Sequence, residues 1–128
     1  MNMDNKIFIL FAMIFLHIID DYKLQGILAS MKQKKWWEEQ KEYKSLYKYD
    51  YIPALIEHSF SWTFMIMLPI AITLHFNIGW WVIAYIINMA IHAYVDDLKA
   101  NKFKICLVED QAVHITQIIC TWFIFVWF

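Results

Sequence analysis

The sequence predicts an all-α polytopic membrane protein, a single domain over residues 1–128 with four transmembrane helices in an up-down bundle and an interfacial loop or helix between the first two. Three observations predict it. The chain of 128 residues is 61% hydrophobic, whereas ordinary soluble domains hold about 45–50% apolar residues and a chain this small has little interior to hide more. Its apolar residues fall into four runs, at about 6–28, 51–76, 78–98 and 105–128, each near the roughly 20 residues that cross about 30 Å of hydrocarbon. Its 11 basic residues are all lysine, and all but Lys6 sit in or beside two of the three connections. The same composition, with 2 Gly, 2 Pro and 2 Cys, excludes a collagen-like repeat, a disordered chain and a disulfide scaffold. A formal net charge of -1, with no basic patch outside the connections, argues against nucleic acid as a partner.

The first run opens at Lys6 and keeps helical spacing to Leu28. Its length suits a signal peptide, but Asp20, Asp21 and Lys23 stand where a small-residue cleavage site belongs, so it is expected to stay in the mature protein. The connection at 29–50 is rich in Lys and Glu, with Trp36, Trp37, Tyr43, Leu46, Tyr47 and Tyr51 interleaved. Such a segment is expected to lie at headgroup level as a solvated connector, with a lid over a substrate as the sharper alternative. The second run contains Pro69, which a membrane helix tolerates. Only 75–79 separates it from the third run, so these two form a tight antiparallel hairpin, and the turn at 99–104 does the same for the third and fourth. Cys106 and Cys120 are read as small buried apolar residues. By the positive-inside rule, connections 29–50 and 99–104 face the cytoplasm and both termini face outward, across the cytoplasmic (inner) membrane.

Within these apolar runs the polar residues recur at helical spacing. His17, Asp21 and Gln25 follow one another at four-residue intervals on one face of the first helix. The third helix repeats the device with Asn88, His92, Asp96 and Lys99, and the fourth opens with Asp110, Gln111 and His114, continued by Gln117 and Thr121. The second helix adds Glu57, His58 and Ser61 near its start. Because successive helices run in opposite directions, groups at the ends of helices one and three and at the starts of two and four all fall in one leaflet. That leaflet is the cytoplasmic one.

A charged side chain in mid-span costs roughly 2.5 kcal/mol or more and is retained mainly for function or when paired. Imidazole and carboxylate together suit Zn, Mn or Fe, and an i, i+4 pair can present two ligands to one ion. His17, Asp21, His92, Asp96, Asp110 and His114 are the candidate ligands for one divalent transition metal ion or a pair. His58 or Glu57 would serve as a further ligand or general base, with Gln25, Lys99 and Gln111 orienting substrate or ligands. The plainer alternative is a buried hydrogen-bond and ion-pair network tying the helices together, although helix association is usually achieved with small or neutral polar residues. His75 is read as an interfacial residue, and Asp20, Asp50, Asp97 and Glu109 as rim carboxylates.

The ordered motifs His17-x3-Asp21-x3-Gln25, His58, His92-x3-Asp96-x2-Lys99 and Asp110-Gln111-x2-His114 resemble those of a family of small bacterial and phage integral membrane proteins carrying a domain of unknown function. The resemblance covers nearly the whole chain except the 29–50 connection. It implies an integral membrane protein and supports the same site residues, but implies no activity. The donors suffice for one ion or for a pair about 3.5–4 Å apart, as in phosphoester hydrolysis. The expected function is therefore a metal-dependent hydrolase acting on a phosphorylated or lipid-like substrate, to which membrane-bound metal-dependent hydrolases with His and Asp at helix ends offer a looser analogy. Two other classes compete with that expectation: a proton or metal-ion transport or sensing protein, and a non-catalytic phage-type interaction protein working through Trp36 and Trp37. The partners expected are the lipid bilayer and an amphiphilic or phosphorylated substrate, with homo-oligomerisation left open.

Overall fold

The computed structural model describes residues 1–40, 45–74 and 77–127, and every regular element among them is helical. Helix α1 spans Met3–Ile19, where the Asn2 side chain caps the start by accepting from the Asn5 amide at 2.9 Å. It runs directly into a wider π-helical turn at Asp20–Leu24, closed by the Gln25 amide donating to the Asp20 carbonyl at 3.1 Å. Gly26 then turns the chain with φ +51°, a left-handed conformation that suits a residue without Cβ. The first span therefore ends earlier than the expected residue 28.

Two short helices, α2 at Leu28–Met31 and α3 at Lys34–Glu38, follow in the connection where an interfacial loop or helix is expected. They are fastened to the far end of the chain. The Lys34 amide donates to Asn101 Oδ1 at 2.8 Å, Asn101 Nδ2 donates to the Lys32 carbonyl at 3.1 Å, and Trp37 Nε1 closes the segment on the Met31 carbonyl at 2.6 Å. Tyr43 and His75, both singled out in the sequence, lie outside the described residues.

The long helices are α4 at Tyr51–Thr73, α5 at Ile78–Ala100 and α6 at Leu107–Trp127. Pro53 sits in the first turn of α4, where its missing N–H is not needed. Asn77 caps α5 through the Gly79 and Trp80 amides at 2.9 and 3.3 Å. α4 and α5, each 23 residues, are long and apolar enough to cross a membrane. α1 has only 17 residues before its π turn, and α6 is diluted by Glu109, Asp110, Gln111, His114 and Gln117.

α4 is the axis of the molecule, packing against α1, α5 and α6. Its inward residues Leu55, His58, Trp62, Ile66 and Ile70 recur at intervals of three and four, the spacing of one helix face. One half of the bundle has an apolar interior of Ile9, Met13, Trp62, Ile66, Met67, Ile70 and Ile118. The other half is polar inside. Meanwhile Phe8, Phe11, Phe15, Ile72, Trp80 and Ile86 point outward. Cys120, expected to be buried, is exposed on the outer side of α6 and Cys106 is exposed at its start, because the inward stripe of α6 is the polar series Asp110, His114, Gln117 and Thr121.

Candidate metal centre

The polar half of the interior is built from four helices and one loop. His17 and Asp21 come from the end of α1 and its π turn, His58 from the second turn of α4, His92 and Asp96 from the last third of α5, and Asp110 and His114 from the opening of α6. All seven side chains are buried, and His58, His92, Asp110 and His114 are fully so.

His58 is central. Its Nε2 stands 3.3 Å from Asp21 Oδ1, 3.4 Å from Asp96 Oδ2 and 3.1 Å from His92 Nε2, while His92 Nε2 and Asp96 Oδ2 are 3.9 Å apart. A tetrahedral ion with ligands at about 2.0–2.1 Å separates those ligands from one another by roughly 3.3–3.4 Å. The donor set fits such an ion in type and spacing. Asp21, His58 and His92 form one group able to hold a cation, and His92, Asp96 and His114 form a second. In the second, His114 Nε2 lies 3.5 Å from Asp96 Oδ1 and 3.4 Å from Asp110 Oδ1, and among the described residues none of these three atoms makes a hydrogen bond. Asp96 faces both groups, one oxygen toward each.

Charge supports the same conclusion. Asp20, Asp21, Asp96 and Asp110 are buried together, and among the described residues two ammonium groups reach them. Lys32, itself buried, places Nζ 2.5 Å from Asp96 Oδ2, and Lys99 donates to Asp110 Oδ2. Four carboxylates against two ammonium groups leave two negative charges to be offset by a divalent cation or by protons on imidazole, since unpaired buried charge costs several kcal/mol.

His17 is a different case from the expected ligand. Trp62 Nε1, which can only donate, bonds His17 Nδ1 at 2.7 Å, so the ring proton sits on Nε2 and faces Gln111 Oε1 at 3.1 Å. Both nitrogens are engaged, leaving no lone pair for an ion. The relay continues from Gln111 Nε2 to Asp21 Oδ2 at 3.0 Å, so His17 and Gln111 orient the Asp21 carboxylate.

Two other expected roles fall away. Glu57, one residue before His58, points about 100° around α4 and is exposed, lining an outer cavity with Trp37, Asp50 and Pro53, so it cannot be a base at the cluster. Gln25 bonds the Asp21 carbonyl and stabilises the π turn without touching the carboxylates. Lys99 reaches the cluster, donating to Asp110 Oδ2. Asp50, Asp97 and Glu109 stay outside it. Beyond the helix end, Lys102 pairs with Asp97 at 2.8 Å, which holds its ammonium above the ordinary lysine value.

Asp20, expected at the rim, is buried and accepts from Ser61 Oγ at 2.6 Å. Lys32 and Trp62 carry no sequence signal of their own. Trp62 is fully buried, stacked on His92 with ring centroids 4.1 Å apart, and forms the floor between the polar and apolar halves. Comparison with protein-family models, curated proteins and solved structures finds no match for the chain.

Proposed function

We propose that the chain is a metal-dependent hydrolase embedded in the membrane, with its centre in the cytoplasmic leaflet, acting on a phosphorylated or lipid-like substrate. The observation that carries this reading is the sharing of Asp96 between two buried groups of imidazole and carboxylate, Asp21 with His58 and His92 on one side and His114 with Asp110 on the other. A carboxylate with an oxygen toward each group suits a bridged pair of ions, the arrangement that clamps attacking and leaving oxygens in phosphoester hydrolysis. The ions would supply hydroxide at neutral pH by lowering the pKa of bound water toward about 7. Lys32 and Lys99 would stay paired with Asp96 and Asp110 and hold those carboxylates in place. Trp62 and the apolar half beneath it would keep bulk water from the far side.

In this reading all four long helices span the bilayer. α1 and α6 carry their polar residues inward and their Phe and Ile residues outward, and both lysine-rich connections lie on the cytoplasmic side. The kinship suggested by the ordered motifs, with small bacterial and phage membrane proteins, belongs to the same proposal.

Elemental analysis of protein purified in neutral detergent tests it. One or two equivalents of Zn, Mn or Fe per chain are expected, falling to background in Asp96→Asn. Absence of stoichiometric metal from the unmodified protein sinks the reading.

One observation favours a second reading, proton transfer. His58, His92 and His114 meet ring to ring, at 3.1 Å between Nε2 atoms and 3.2 Å between Nδ1 atoms, so a proton could pass along them. From His114 the row continues through Gln117 to Asn88 and Thr121, beside the apolar Ile66, Met67, Ile70 and Ile118. Proton flux in proteoliposomes that disappears in His92→Gln would favour this second reading over the first.

A further inference from the structure

We infer that Asp20 is a positioning residue for His58: its carboxylate takes the Nδ1 proton of that ring and leaves the Nε2 lone pair facing Asp21, Asp96 and His92. Asp20 belongs to neither group able to hold a cation, so it acts through His58. The orientation of the ring holds with or without an ion; only its effect on metal affinity rests on the function proposed above.

Two consecutive aspartates straddle one imidazole. Asp21 Oδ1 stands 3.3 Å from His58 Nε2, and Asp20 Oδ2 stands 3.9 Å from His58 Nδ1, on the other edge of the ring. The π turn that carries both aspartates buries them against the same helix, α4. Among the described residues neither Asp20 Oδ2 nor His58 Nδ1 makes a hydrogen bond, although both side chains are buried. Two such atoms are costly to leave apart, and each supplies what the other lacks. An approach of about 1 Å brings them to ordinary N–H···O distance. Ser61, one turn beyond His58 on α4, donates to Asp20 Oδ1 at 2.6 Å. That bond engages one carboxylate oxygen and leaves Oδ2 for the ring.

The surroundings of Nε2 decide which nitrogen keeps the proton. A neutral imidazole has one N–H and one lone pair. Besides Asp21 Oδ1, Nε2 meets Asp96 Oδ2 at 3.4 Å and His92 Nε2 at 3.1 Å, where the ligand atoms for a cation gather. A proton on Nε2 would occupy that place and turn the Nδ1 lone pair toward Asp20 Oδ2, acceptor against acceptor. A proton on Nδ1 satisfies Asp20 and frees Nε2 for an ion. His17 shows the opposite case, because Trp62 Nε1 donates to its Nδ1 at 2.7 Å and puts the proton on Nε2. In each ring the partner of Nδ1, an acceptor for His58 and a donor for His17, sets the tautomer.

Nitrogen NMR of ring-labelled histidine in neutral detergent reads the tautomer, because protonated and bare ring nitrogens resonate far apart, and a His58→Gln sample identifies the His58 signals. In the unmodified protein His58 Nδ1 should carry a proton without metal and keep it when Zn is added, with Nε2 the nitrogen whose signal moves. In Asp20→Ala the proton should pass to Nε2, facing Asp21 and Asp96, while His17 keeps its own tautomer and so reports intact packing. Zn affinity should then fall about 10–100-fold. Asp20→Asn, which retains an oxygen for the Nδ1 proton, should stay close to the unmodified protein in both readouts. A bare Nδ1 on His58 in the unmodified protein, or an unchanged tautomer in Asp20→Ala, overturns the positioning role. Equal loss of Zn affinity in the Ala and Asn variants assigns the effect to charge and overturns it as well. Zn that moves no histidine signal removes the hydrolase reading, and the tautomer in metal-free protein still decides the role of Asp20.

Discussion

Asp96 is the residue on which most of the centre depends. It accepts from Lys32, lies 3.8 Å from Lys99, and turns its two oxygens toward His58 and His114. Asp96→Asn should therefore lower metal affinity more than Asp20→Asn, whose carboxylate is bonded to Ser61 and lies outside both ligand groups; titration with Zn in detergent compares them. Trp62→Phe keeps the ring floor but removes the donor that fixes the His17 tautomer, and with it the relay through Gln111 to Asp21. Loss of such an orienting bond typically costs about 10–100-fold in metal affinity, and calorimetric titration of the variant should show it with the ligands unchanged. Protons compete with metal for imidazole and carboxylate, so affinity should fall on acidification. Affinity rising on acidification would contradict the ligand assignment. The His-x3-Asp pairs were legible at this scale because four-residue spacing on a helix is local geometry. Trp62 was not, since an aromatic in an apolar run looks the same whether it packs, anchors or donates.

At the scale of elements, the π turn at Asp20–Leu24 and the loop helices α2 and α3 account for what periodicity missed. On a straight α-helix, Asp20 and Asp21 point about 100° apart. The wider turn buries both, Asp20 toward Ser61 and Asp21 toward His58 and Gln111. The chain then reverses at Gly26, whose left-handed conformation lets α2 fold back and deliver Lys32 to Asp96. A methyl added at Gly26 meets nothing closer than the Leu24 carbonyl at 3.8 Å, so the cost of Gly26→Ala is conformational, about 1 kcal/mol. Thermal unfolding in detergent should show a lower midpoint for Gly26→Ala and little change for alanine at exposed Lys23. Asn101 is the clasp for the same loop, bonding the backbone at Lys32 and Lys34. Asn101→Ala should speed proteolysis of the 29–40 segment, and an unchanged cleavage rate would show that the clasp holds nothing.

For the whole molecule, the arrangement is inverted relative to a soluble domain, with four His and four Asp inside one half and Phe, Ile and Trp on the outside. Exposed apolar faces of this extent need a hydrocarbon environment or a partner. Thiol labelling checks the orientation proposed for it. A membrane-impermeant maleimide should reach Cys106 from the cytoplasmic face of vesicles only, and Cys120 from neither face. Labelling of Cys106 from the outer face reverses the topology.

The sequence by itself determined the helical class, the approximate limits of the long helices and the clustering of histidine and aspartate at one end, because composition and helical periodicity are properties of neighbouring residues. Only the tertiary structure decided which of those groups stand together with nitrogen and oxygen atoms available to a cation. Engagement of both His17 nitrogens, the outward turn of Glu57, the arrival of Lys32 and the burial of Asp20 each depend on where a different helix or loop stands. A lone pair is free or occupied according to its neighbours in space, and spacing along one helix carries no record of them.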